Sequence, residues 1–141
     1  MKIAVLMLVH KNAEQVKRLI SVLKHENVDI FIHIDKKCTF DKNAISDDTN
    51  SKNVIFTKNR YSVGLYQFSM VEAEKELIRT AAEHGDYQYF VLLSGQCYPI
   101  KSIDYICNFL EKSYPKPFIE IISQKDGNYV KENFKEVYIN K

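Results

Sequence analysis

Two short, almost wholly apolar runs separated by one amphipathic stretch constrain this chain more than any other feature. Ile3 to Leu8 carries no polar residue, and a run of that length and character suits a strand buried on both faces of a parallel sheet. Asn12 follows, with Gln15 three residues on in the pattern of a capping box, and Val16, Leu19, Ile20 and Leu23 then recur at helical spacing. The helix is expected to end near His25. Asp29 to Asp35 is a second β-rich run, and strand, helix, strand in that order predicts a right-handed crossover between parallel neighbours.

The alternation continues. Residues 36 to 52 are polar and aperiodic and read as a loop, and Asn53 to Phe56 as a short third strand. Phe68 to Glu83 reads as a helix with Val71, Leu77, Ile78 and Ala81 towards one side, stopped by Gly85. Tyr89 to Leu93 is the fourth strand. Ser102 caps a helix marked by Ile103, Ile106, Cys107 and Leu110, which Pro115 and Pro117 end. Phe118 to Ile122 reads as a fifth strand, leading into a polar tail with Tyr129, Phe134, Val137 and Tyr138. The expected fold is one α/β domain over residues 1–141, an open, mostly parallel sheet flanked by helices. Ligands of such sheets bind outside the carboxyl ends of the strands, at a topological switch point.

Several function classes fall away. The 20 basic and 18 acidic residues nearly cancel, so no broad field for nucleic acid is expected. Neither G-x-G-x-x-G nor G-x-x-x-x-G-K-[ST] occurs, which disfavours dinucleotide enzymes and P-loop NTPases. The zincin and nucleophile-elbow motifs and repeated Cys/His ligand spacing do not occur either, and Asp47-Asp48 reads as a solvated turn. Cys38, Cys97 and Cys107 are odd in number and form no C-x-x-C, so a reducing, cytoplasmic setting is expected. The apolar N-terminus reads as a strand rather than a secretory core, because His10-Lys11-Asn12 follows without a small-residue cleavage site. No window approaches the roughly 18–20 apolar residues of a bilayer span, and any membrane contact is expected to be peripheral.

The strand ends supply the candidate ligands. Asp35 can accept from a ring N–H or ribose hydroxyls, or can cap a turn. His10 can face a ligand or make a structural hydrogen bond, and Arg60 can pair with phosphate or sit solvated beside Asn59. Ser94-Gly95-Gln96 joins a buried strand to a turn, where glycine admits close backbone approach and glutamine both donates and accepts, although a plain strand-to-helix loop has the same composition.

Taken in order, Val9-His10, Ile32-His33-Ile34-Asp35, Phe68-Ser69-Met70-Val71-Glu72-Ala73 and above all the block Leu92-Leu93-Ser94-Gly95-Gln96-Cys97-Tyr98-Pro99-Ile100-Lys101-Ser102 resemble the core-2/I-branching β-1,6-N-acetylglucosaminyltransferases, a family that includes the peptide xylosyltransferases. The likeness runs to about Glu120. It implies a GT-A, Rossmann-like fold, a UDP-sugar donor, a glycan acceptor and inverting transfer without a divalent metal or the Asp-x-Asp motif that would hold one. By the same resemblance Val9, His10 and Asp35 would hold the uridine; Arg60 joins these nucleotide-binding candidates only as a strand-end residue able to pair with phosphate. Gly95-Gln96 would lie where other GT-A enzymes hold their metal, and Glu120 would match an acceptor contact. The sequence departs from the family pattern at Cys97, where Asp is usual, and at Leu65-Tyr66-Gln67. Family members are about twice this length, and no residue here matches their catalytic Glu or their diphosphate-neutralising bases. The chain is therefore expected to be the front half of such an enzyme, with apolar surface exposed or covered by a homo-oligomer. Three readings remain: an enzyme fragment, a UDP-binding module without transfer, and a structural remnant.

Overall fold

The computed structural model describes residues 1–45 and 52–119. Its elements in chain order are β1 (Ile3–Val9), α1 (Ala13–Leu23), β2 (Val28–Ile34), a single 3-10 turn (Lys42–Ala44), β3 (Val54–Phe56), α2 (Phe68–His84), β4 (Tyr89–Ser94) and α3 (Ile103–Ser113). The four strands form one all-parallel sheet in the order β3-β2-β1-β4. The crossover through α1 carries the chain from β1 to β2 on one side, and that through α2 returns it past β1 to β4 on the other. The strand order therefore reverses at β1, the switch point of a doubly wound sheet.

The central position of β1 explains its composition. Val5 lies between Ile30 of β2 and Val91 of β4, and a strand hydrogen-bonded on both edges and covered on both faces has no place for a polar side chain. Its odd-numbered residues join Val16, Leu19, Ile20 and Leu23 of α1 and Cys107 and Leu110 of α3 in the larger core, while Ala4 and Leu6 face α2 and pack with Phe31, Leu77 and Ala81. Asn12 caps α1 from a left-handed backbone (φ 59°), its Oδ1 accepting from Gln15 N at 3.2 Å. Ser102 caps α3 from an extended backbone, its hydroxyl accepting from Tyr105 N at 3.3 Å.

Three expectations need correction or restriction. Val71 and Ile78 of α2 point outwards, 42% and 48% exposed, and the inward face is Ala73, Glu76, Leu77 and Ala81. Residues 73, 77 and 81 repeat at i, i+4, i+8, and the two alanines let the helix lie close on Ala4, Leu6 and Phe31. Glu76 is tolerated in that face because Asn59 Nδ2 donates to its Oε1 at 2.9 Å and Arg79 Nη1 to its Oε2 at 2.8 Å. The polar stretch after β2 is also more ordered than a plain loop, since Asp41 caps the 3-10 turn and Ile45 enters the larger core. Phe118 and Ile119 carry no strand; the remainder of the expected fifth strand, Glu120 within it, lies outside the described residues, as do Asp47-Asp48 and the polar tail. Among the described residues no helix is long and apolar enough to cross a membrane.

Candidate functional site

A cavity of about 750 Å³ opens at the carboxyl ends of β1, β2 and β4, at the switch point. Leu8, Val9 and His10 at the end of β1 and Leu92, Leu93 and Ser94 at the end of the neighbouring β4 line it side by side. His33 and Asp35, followed by Lys37 and Cys38, extend the lining from β2, and Val63, Leu65 and Met70 complete it from the loop before α2 and its first turn. The volume suits a nucleoside-sized ligand, and mostly apolar walls with a few convergent polar groups are the usual makeup of such sites.

Asp35 is fixed from several directions. Its N–H donates to Val9 O at 2.7 Å, and its carbonyl accepts from Cys38 N at 2.9 Å and Arg60 Nη2 at 2.8 Å. Its side-chain Oδ1 accepts from Lys37 N at 2.8 Å, an Asx turn of the kind such residues form locally. The turn-cap reading and the ligand reading are thus compatible: one carboxylate oxygen closes the turn and the residue still lines the cavity, 6% exposed. Val9 and His10 line the cavity as well.

Arg60 is placed differently. Its Nε donates to Ile34 O at 2.9 Å and its Nη2 to Asp35 O, so the guanidinium buckles the end of β2 and is not part of the cavity lining. Gly95 and Gln96 also stand behind the wall. A Cβ on Gly95 would meet Val9 Cγ2 at 3.1 Å and Val16 Cγ2 at 3.2 Å, so the missing side chain admits two valines rather than a ligand. Gln96 Nε2 donates to Lys11 O at 3.3 Å, tying the loop after β4 to the loop after β1. Cys97 is exposed and borders the α1–α3 side of the sheet instead of this cavity.

The residue that motif reading passed over is His33. It is fully buried, its ring stacks on Tyr61 with centroids 5.9 Å apart, and its Nε2 accepts from Tyr61 N at 3.0 Å. Burial is the main cause that lowers its pKa; Asp35 opposes this, Arg60 reinforces it, and Glu76 and the residue's own carbonyl oppose it. The signal was present in the sequence as the sole polar side chain between Ile30 and Ile34, on the same strand face as Asp35 two residues on.

The arrangement can bind a flat, partly polar ring between apolar walls and accept hydrogen bonds from it at Asp35, with the Lys37 ammonium nearby. Among the described residues Asp35 is the one carboxylate in the lining, and no group of three His, Cys, Asp or Glu side chains is disposed to hold a metal ion. A comparison with curated proteins gives no match. The family model described as Core-2/I-Branching enzyme matches residues 3–140, nearly the entire sequence, and together with the doubly wound sheet and its switch-point cavity this shows that the chain belongs to that family of glycosyltransferases.

Proposed function

We propose that the cavity binds the uridine diphosphate moiety of a UDP-sugar, and that the reaction served is inverting transfer of N-acetylglucosamine or a related sugar to a glycan acceptor without a divalent ion. The observation that carries this reading is Asp35. A carboxylate anchored through its backbone and one oxygen, at the switch point of a parallel sheet and within an apolar cavity, presents an acceptor with little freedom left to lose. Apolar walls from Val9, Leu93 and Met70 suit the faces of a pyrimidine, and His10 at the rim suits a ribose or phosphate oxygen. Direct displacement at the anomeric carbon needs a carboxylate base for the acceptor hydroxyl and cations for the departing diphosphate. Asp35, committed to the base and its turn, is not assigned that catalytic role.

Titration calorimetry of the chain with UDP, with and without a chelator, tests the reading. Equal, weak affinity in both is the expected result, and strict dependence on a divalent ion would overturn the metal-free part. Absence of UDP binding would leave the structural-remnant reading. Transfer activity of the isolated chain, tested with UDP-N-acetylglucosamine, separates an enzyme from a binding module. The three free thiols support a reducing, cytoplasmic setting. Phe90 and Leu92, both exposed on β4, support self-association through that strand; sedimentation of the wild-type chain beside Phe90→Lys tests it, and a wild-type monomer at all concentrations would oppose it.

A further inference from the structure

Among the described residues, one buried side-chain polar atom has no hydrogen-bond partner, and it is Nδ1 of His33. Buried polar groups in folded proteins are nearly always paired, and an unmade bond costs the desolvation of the group, so an orphan at the edge of a cavity calls for a cause. The proton can be placed by elimination. Nε2 accepts from Tyr61 N, so it carries no hydrogen, and in a neutral imidazole the hydrogen then resides on Nδ1. The ring is held in that tautomer by a backbone bond and in that orientation by the stacked Tyr61 ring. His33 therefore brings to the cavity lining an oriented N–H donor for which no group completes a hydrogen bond, its own carbonyl acting only electrostatically, on the strand face that also carries Asp35, whose Oδ1 is taken by Lys37 N.

We propose that His33 is a ligand-contacting residue whose Nδ1–H donates to an acceptor atom of the bound nucleotide base while Asp35 accepts from a donor on the same ring. The proposal rests on the UDP-binding reading and adds to it a second polar contact. Paired donor and acceptor groups on one strand face recognise the neighbouring acceptor and N–H of a pyrimidine edge, which a lone carboxylate cannot orient. Nδ1 itself has almost no accessible surface, so the contact requires the ring or the groups covering it to yield as the ligand seats.

Two substitutions divide the ring's functions. His33→Gln can keep an acceptor for Tyr61 N near the position of Nε2 but offers no donor at the δ position; His33→Asn can place an amide N–H near Nδ1 and gives up the bond to Tyr61. UDP affinity is expected to fall roughly tenfold in His33→Gln with little change in melting temperature, and to stay within about threefold of wild type in His33→Asn despite a lower melting temperature. Wild-type affinity in His33→Gln, or equal losses in both variants, overturns the proposal while leaving UDP binding intact. If the wild-type chain does not bind UDP, the functional reading fails and His33 loses its assignment with it. Should His33→Gln not fold, the Nδ1–H resonance of the wild-type chain decides: a shift and slower exchange on adding UDP support the contact, and an unmoved resonance refutes it.

Discussion

The two faces of the sheet differ in how completely they are closed. On one side α1 and α3 cover the odd-numbered residues of β1 and their neighbours, and the buried cluster extends from Ile3 to Leu110 and takes in Ile45. On the other, the described residues that cover Ala4, Leu6 and Phe31 are those of a single helix, α2, with Tyr87 just beyond its end. It leaves Phe90 and Leu92 of β4 exposed, and the switch-point cavity opens beside Met70 at its first turn. The contrast teaches a division of labour: one face holds the chain together, and the other gives up packing where the switch-point cavity opens.

Matched truncations provide the sharpest test of that division. Leu19 and Leu77 are both fully buried, but Leu19 lies in the large cluster and Leu77 in the small one. Leu19→Ala is expected to cost about 3–5 kcal/mol and Leu77→Ala nearer ~2, because a site in the smaller cluster beside incompletely covered strands can relax into the space. Urea denaturation of the two variants measures the difference, and equal losses would mean that the α2 face is packed as tightly as the other.

Asp35→Asn probes the ligand side of the comparison. It keeps the size of the side chain while replacing one acceptor oxygen by a donor, and the proposed ligand N–H would then face another donor or a weaker neutral acceptor. UDP affinity should fall by ten- to a hundredfold, about 1.5–3 kcal/mol. The Asx turn to Lys37 N can survive through the amide oxygen, so the melting temperature should move much less than the affinity. A large fall in melting temperature with unchanged UDP binding would reduce Asp35 to a turn cap.

Gly95→Ala joins the two faces in one experiment. The new methyl would press on Val9 and Val16 at 3.1 and 3.2 Å, one a cavity-lining residue and the other part of the α1 core. Such overpacking costs about 1–3 kcal/mol, offset in part by the lower entropy of the unfolded alanine chain. Stability and UDP affinity should therefore fall together. A change in stability alone would show that Val9 gives way towards the core and leaves the cavity wall in place.

Much of this was legible in the sequence because it depends on period and run length. The apolar run of β1, the 16-19-20-23 stripe of α1 and the 103-106-107-110 stripe of α3 each had one way to be buried. Val71 and Ile78 misled because α2 is flanked by a cavity and an uncovered strand. Its buried face is set by two alanines, and apolar residues remain outside where nothing among the described residues covers them. At the site, Val9, His10 and Asp35 could be found as strand ends, which the topology gathers at one edge of the sheet. Arg60 could not be placed, because whether a guanidinium meets a phosphate or a neighbouring carbonyl depends on the path of the loop from 57 to 66. His33 stood out as a lone polar side chain in an apolar strand, but that one of its ring nitrogens is unpaired is a property of packing and has no pattern in the chain.

The smallest expected effect is a pH dependence on the α2 side, and its sign follows from His33. Burial holds the folded-state pKa of this histidine below the usual 6.5, with Asp35, Glu76 and its own carbonyl opposing and Arg60 reinforcing. The folded chain therefore prefers the neutral ring, whereas the unfolded chain takes up a proton as the pH falls through about 6.5. The unfolded state then binds more protons, so stability drops as the pH decreases from the unfolded value towards the folded one, and the full contribution is present only above that window. A proton on Nε2 would, besides, confront Tyr61 N–H, the donor from which Nε2 now accepts. Denaturation curves of wild type and His33→Gln at about pH 7.5 and about pH 5.5 isolate this group, since every other titrating residue is common to both chains and cancels in the difference. Wild type should lose more stability than the variant on acidification. A parallel decline would mean that the His33 ring is free to charge in the folded chain, and that the α2 face is already open to water beneath the cavity.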